Sequence, residues 1–242
     1  MKPVKTPFFI FSTVKTMSRR FINLLLLALL VIPGAQPILH ANSGLSTAEL
    51  DRVRRDPTFN KRMEGFSLFL SPEQMEYFLD NLPYASLLLN EYGIHTLRIN
   101  AAGAGRFHAE DESGLEGFFV LLKKRSGHRE YTGKGWISSR VISKISADVA
   151  AQISFEKKAP KEITSELEFR VRVDSVLLDL LCRLFQPILL QILTKKFDHF
   201  VSVIQRFTER IQEDPETAAA ILLNRGAGGP DVEEFRRVFF AQ

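Results

Sequence analysis

Two stretches in the second half of the chain alternate apolar and polar residues almost without a break, and the segment after them does not. Ile145, Ala147, Val149, Ala151, Ile153 and Phe155 alternate with Ser146, Asp148, Ala150, Gln152, Ser154 and Glu156. Ile163, Leu167, Phe169, Val171 and Val173 alternate with Thr164, Glu166, Glu168, Arg170 and Arg172. Period two is the signature of antiparallel strands with one covered face and one wet face. From Asp174 and Ser175, which can cap a helix, to about Glu213 the period changes. Leu177, Leu181, Leu184, Ile188, Leu193, Phe197, Phe200, Ile204, Phe207 and Ile211 follow three- and four-residue steps. The chain is therefore α+β, with a sheet that gives way to one long helix. Leu177 to Leu193 is apolar nearly all round, which predicts burial on most sides. Asp179 and Arg183 interrupt it at i,i+4 spacing and argue against a membrane span, and Pro187 predicts a kink.

Upstream, Ser46 to Glu49 has the pattern of a capping box and predicts a short helix to about Arg55, before Asp56-Pro57. Ser71-Pro72-Glu73-Gln74 is a stronger start signal, with Ser71 as N-cap, Pro72 in the first turn and Gln74 reaching back. Pro83 splits the helical stretch after Ser71 into two short helices, the second running from Tyr84 to Asn90 and ending at Gly93. A series of strands comes next. His95, Leu97 and Ile99 share one parity, and Phe107 and Ala109 resume the alternation after a bend at Gly103 and Gly105. Residues 115–122 are apolar on both faces, as a central strand would be. Residues 128–138 read as a strand interrupted by Gly133 and Gly135. Beyond Glu213, Asp214-Pro215-Glu216 opens another short helix to about Asn224. A flexible linker (Arg225 to Pro230) then leads to an amphipathic terminal helix.

A paired helix, an antiparallel meander and a final long helix resemble the START-like superfamily, whose fold is the helix grip. The carrying residues are SPEQMEYFLDNLPYASLLL, the strand series through Val173, and SVLLDLLCRLFQPILLQIL. The resemblance covers residues 60–213 and rests on architecture. It implies a curved antiparallel sheet wrapped around a long C-terminal helix, with an apolar cavity between them that holds a hydrophobic small molecule or lipid. Residues 42–59 then form a helical lead-in, and 214–242 a helical extension with a Gly-rich linker.

Phe21 to Ile32 (FINLLLLALLVI) follows Arg19 and Arg20, precedes Pro33-Gly34, and leads to a small residue, Ala41. Positive flank, short apolar core, breaker and small residue describe a secretory signal peptide over residues 1–41, with an uncleaved signal anchor as the alternative. A start at Met17 gives a leader of ordinary proportions. The expected location is periplasmic or extracellular. The leader also explains the basic balance. It holds five of the 32 Lys and Arg and none of the 28 Asp and Glu, leaving 27 basic against 28 acidic residues. Without a basic sheet face the sequence offers nothing to nucleic acid. One cysteine, Cys182, excludes an intramolecular disulfide framework and multi-cysteine metal sites, and its leucine-rich surroundings predict a buried, inert thiol.

No catalytic set is visible. His95 and His108 fall on opposite parities, the Glu110-Asp111-Glu112 run reads as a solvated turn, and no G-x-S-x-G or phosphate loop occurs. Neither a metal nor a cofactor is expected. The reading is a binder or carrier whose cavity is lined by His95, Leu97, Phe119, Trp136, Val149, Phe169, Leu181 and Phe185, chosen by inward parity and size. A cyclase or isomerase using His95 or Tyr131 as acid–base groups is the second reading. The third is an envelope-associated protein whose apolar helix and C-terminal tail (Phe235, Val238 and Phe239 with Arg236 and Arg237) touch a membrane or a partner.

Overall fold

The structure is a computed structural model, and it describes residues 44–112, 114–137 and 145–240. The leader expected over residues 1–41 lies outside the described residues.

Helix α1 (Thr47–Arg55) opens with the expected capping box: the Glu49 amide donates to Ser46 Oγ, and the Ser46 amide to Glu49 Oε2 at 2.8 Å. A strand follows that the alternation did not reveal, β1 (Phe59–Leu68). Its pattern is obscured twice. Lys61 occupies an inner-face position, and a bulge between Met63 and Phe66, with Gly65 at φ 70°, resets the parity. Helix α2 (Pro72–Asp80) is capped by Ser71 and Gln74 as predicted. Helix α3 (Leu82–Glu91) ends in a Schellman turn: Gly93, at φ 61°, donates to Asn90 O, and Ile94 to Leu89 O.

Strands β2 (Leu97–Gly103), β3 (Arg106–Asp111), β4 (Leu115–Arg125), β5 (His128–Ile137), β6 (Ile145–Ala159) and β7 (Glu162–Val173) form an antiparallel meander. The seven-stranded order is β1-β7-β6-β5-β4-β3-β2, so the first strand closes beside the last. Gly103 and Gly105 turn the β2–β3 hairpin, as expected. Gly133 and Gly135 differ from expectation. They are neither a turn nor a bulge, because β5 runs through both and pairs without interruption to β6.

Strand β2 forms one outer edge of the sheet and has an unusual neighbour. The Leu97 amide donates to Asn90 Oδ1 (3.0 Å), Asn90 Nδ2 donates to Leu97 O (2.6 Å), and the Ile99 amide donates to Ser86 Oγ (3.1 Å). Side chains of α3 thus stand where an eighth strand would hydrogen-bond.

The expected single kinked helix is two helices, α4 (Val176–Leu184) and α5 (Gln186–Glu213). The break falls at Phe185, because Pro187 suits the first turn of a new helix better than the interior of an old one. The expected burial of this segment is overturned over α4: Val176, Leu177, Leu180 and Leu184 are 86, 51, 62 and 67% exposed. The cause is how α4 is anchored. Thr58 and Arg183 hydrogen-bond Asp179, Arg183 also pairs with Asp56, and Arg172 bonds Asp56. This polar cluster holds the Asp179 face of α4 against the start of β1 and leaves the leucine face outward.

The second half of α5 grips the sheet. Val203, Phe207 and Ile211 are buried, and Phe207 and Ile211 join Leu68, Met75, Phe78, Phe155 and Ile163 in the core. Helices α6 (Pro215–Asn224) and α7 (Gly229–Phe240) belong to the same core through Ala218, Leu222, Val232, Phe235 and Phe239. Phe235 stacks on Phe239 at 4.4 Å, and both rings meet Tyr77 edge-on. Two expectations are corrected here. The tail is not free to lie on a membrane, since its Phe235 and Phe239 are buried. The Arg225–Pro230 linker is a defined turn: Gly226, at φ 89°, donates to Leu223 O and Ala227 to Leu222 O, a second Schellman closure.

Candidate binding cavity

A cavity of about 330 Å³ opens over the inner face of the sheet, the face on which α2, α3 and α5 pack. Leu97 and Ile99 of β2 and Leu115 and Phe119 of β4 line one side. Val149, Ala151 and Ile153 of β6 with Leu167 and Phe169 of β7 line the other, and Leu82 of α3 closes one end. Strict alternation explains this wall: opposed residues of antiparallel strands project to the same face, and Phe119, Gly133, Val149 and Val171 form one such row across four strands.

Glycines hollow the floor. Gly117, Gly133 and Gly135 share the inner face where β4 and β5 pair, Gly117 opposite Gly135 and Gly133 opposite Phe119. A Cβ on Gly133 would come within 2.7 Å of Phe119 Cα and closer still to the Phe118 carbonyl. At Gly117 it would meet the Lys134 carbonyl at 2.9 Å. At Gly135 the nearest atom, the Glu116 carbonyl oxygen, is 3.6 Å away, an ordinary contact that leaves room for a methyl group. The first two are demanded by the close approach of the strands. Tyr131 brings the one phenol to this wall. Its hydroxyl donates to the Leu79 carbonyl at 3.1 Å, and burial pushes its pKa well above the ordinary tyrosine range. Such a phenol holds its proton at neutral pH.

Four of the eight residues singled out by parity, Leu97, Phe119, Val149 and Phe169, line this cavity. His95, Trp136, Leu181 and Phe185 are not among its lining residues. His95 precedes β2, and its ring lies edge-on to His199 of α5, with centroids 6.5 Å apart. Trp136 opposes Glu116 and Ser146 and so projects to the outer face. There its indole donates to Glu116 Oε2 (3.0 Å), and Phe118 sits between it and His108, whose Nε2 meets Glu116 Oε1 at 3.0 Å. An inward Trp136 requires Gly133 and Gly135 to reset the register, and an uninterrupted strand does not reset. Leu181 and Phe185 sit on the partly exposed α4 segment. Glycine is the signal that parity passes over: Gly117, Gly133 and Gly135 on one face of two adjacent strands mark the floor.

The polar chemistry around the cavity is structural. Arg129, fully buried, bonds Asp80 of α2 and the carbonyls of Arg125 and His128, tying α2 to β5. Asp111 Oδ1 accepts from the Leu115 amide and shapes the acidic turn. Burial, and then Asp179, raise the Cys182 thiol above its ordinary value, in keeping with an inert residue. Among the described residues no group of three or more His, Cys, Asp or Glu is placed to hold a metal ion.

A helix pair inserted between the first and second strands, a meander that returns to the first strand, and a long helix after the last are the elements of the helix grip. The fold is helix-grip-like. The chain is similar to a conserved protein from Geobacillus kaustophilus, with 11% identity, a TM-score of 0.47, and 63% of this chain and 97% of that one covered. It is also similar to a START superfamily protein from Mycobacterium smegmatis (9% identity, TM-score 0.42, 63% and 97% covered). A third is norcoclaurine synthase from Thalictrum flavum, in complex with dopamine and hydroxybenzaldehyde (10% identity, TM-score 0.38, 73% and 98% covered). No protein-family model and no curated protein matches the chain.

Proposed function

We propose that this START-like protein is an exported carrier of an apolar or amphipathic, lipid-like ligand held on the inner face of its sheet. The observation that carries the reading is the cavity: about 330 Å³ walled by aliphatic and aromatic side chains and floored by glycines. That volume falls within the range of small-molecule sites, roughly 300–1,000 Å³. A space of this size lined by apolar groups gains most from a ligand that removes apolar surface from water. The first residues, with their basic flank and apolar core, support export.

Native mass spectrometry of the protein purified without detergent, followed by solvent extraction, tests the carrier reading. A stoichiometric adduct of defined mass is expected. A bare protein mass with no uptake from a mixed lipid extract would overturn it. Recovery of a chain whose N-terminus begins near Asn42 tests export.

The outward leucine face of α4 favours a second role at the same time, contact with a membrane surface while ligand is exchanged. Val176, Leu177, Leu180 and Leu184 lie on one short helix and remain in water. Flotation of the protein with lipid vesicles should fall sharply in Leu177→Ser/Leu180→Ser. Equal flotation would remove α4 from that role.

A further inference from the structure

The cavity wall is largely apolar from β2 to β7, with Asp111 at its β3 end, and the inner-face position beside Phe169 on β1 is a lysine. Lys61 pairs with Phe169, which lines the cavity, and so projects to the same side of the sheet. Phe59 and Met63 flank it on that face, opposite Val171 and Leu167. Its ammonium reaches over this apolar ground to α5, where Nζ donates to Thr194 Oγ1 at 3.4 Å.

Two lysines among the described residues are half-buried, and their surroundings differ. Lys134 has Asp148 at 3.2 Å and Asp174 at 3.6 Å. Lys61 has no carboxylate of the described residues within 4.0 Å; the Thr194 hydroxyl is its polar contact. The neighbouring outward position shows the contrast again, since Arg62 pairs with Glu166 at 2.6 Å and Glu64 at 2.8 Å. Withdrawing an ammonium from water without a counter-charge is unfavourable, and a hydroxyl offsets little of it. An incoming anion would restore the balance, with a charge-assisted bond to Nζ and a second from Thr194 Oγ1. A lysine also has two further protons to donate once Thr194 holds one.

We infer that the ligand of this cavity is an amphipathic monoanion, an acyl chain ending in a carboxylate, whose headgroup docks between Lys61 and Thr194 while its hydrocarbon lies over the glycine floor. The inference rests on the carrier reading and adds the chemistry of the headgroup. Its geometry is consistent with strand spacing. From β1 to β5 is three spacings, about 14 Å, the reach of a medium-length chain. A lysine rather than an arginine suits this place, because one compact charge on a flexible stem can meet a carboxylate without a rigid bidentate fit.

Calorimetric titration of the full chain with dodecanoate and with dodecanol at neutral pH tests it. The wild type should bind the acid at least tenfold more tightly than the alcohol. Lys61→Met keeps the apolar stem and should abolish that preference while still binding dodecanol, which also reports that the variant is folded. Lys61→Arg should retain part of the preference. Equal affinity of the wild type for acid and alcohol, or an undiminished preference in Lys61→Met, overturns the headgroup assignment and leaves the apolar carrier standing. Binding of neither probe to the wild type overturns both.

Discussion

At the scale of single residues, the two glycines of β5 separate two properties that usually travel together. A methyl group on Gly133 would collide with Phe118 and Phe119 of β4, whereas one on Gly135 would meet only an ordinary contact. Gly133→Ala is expected to lower stability by about 3 kcal/mol or more, as strand β4 must move. Gly135→Ala should keep the urea midpoint or raise it slightly, since removing glycine freedom from the unfolded chain favours the folded one. Its methyl intrudes on the ligand, so the adduct fraction in native mass spectra should fall. Asp56 offers a second, electrostatic test. Hydrogen bonds from Arg172 and then Arg183 hold its carboxyl below the ordinary aspartate range. A depressed carboxyl stabilises the fold above its unfolded pKa of about 3.9, and this stabilisation is lost as pH falls through the lower, folded value. The wild type should therefore exceed Asp56→Asn in urea midpoint at pH 7, and the gap should close at pH values below the ordinary aspartate range. A gap that stayed constant down to pH 2 would mean the charge of Asp56 is irrelevant to α4.

At the scale of elements, α7 decides where the folding unit ends. Val232, Phe235 and Phe239 are buried against Tyr77 and Phe78 of α2. At roughly 1.5–3 kcal/mol for each such side chain, their removal costs about 5–9 kcal/mol. That is comparable with the whole stability of a typical domain, about 5–15 kcal/mol. A chain ending at Asn224 should unfold without a cooperative urea transition or at a much lower midpoint. A transition matching the full chain would show that α7 is dispensable. Sequence reading finds α7 as amphipathic but places its apolar face outside, because amphipathicity reports that a face is covered and not by what. The same limit operates in reverse on α4. A helix apolar nearly all round looks buried, and the feature that overrules it, Asp56 and Thr58 meeting Asp179 and Arg183, joins residues far apart in the chain.

For the molecule as a whole, the alternation over residues 145–156 and 163–173, the change of period at Asp174 and the capping boxes make the helix grip legible in the sequence alone. Four cavity residues follow from parity. Strand β1 does not, because Lys61 and the Gly65 bulge break the pattern there, and Trp136, chosen as inward, lies on the outer face because β5 keeps its register through Gly133 and Gly135. Glycine in a strand has two meanings, irregular backbone or a deliberate hollow, and only pairing with Gly117 across β4 distinguishes them here.

An open sheet carries a hazard that a closed barrel avoids, since a naked outer strand is a template on which another chain can grow. The α3 side chains Asn90 and Ser86, bonded to the backbone of β2 at Leu97 and Ile99, act as a chain terminator at that border. Replacing both by alanine would free those backbone groups for pairing. Asn90→Ala/Ser86→Ala should therefore polymerise on mild heating, with thioflavin fluorescence and light scattering rising well before the wild type. A double variant that stays monodisperse through the same ramp would show that the border is protected by something else.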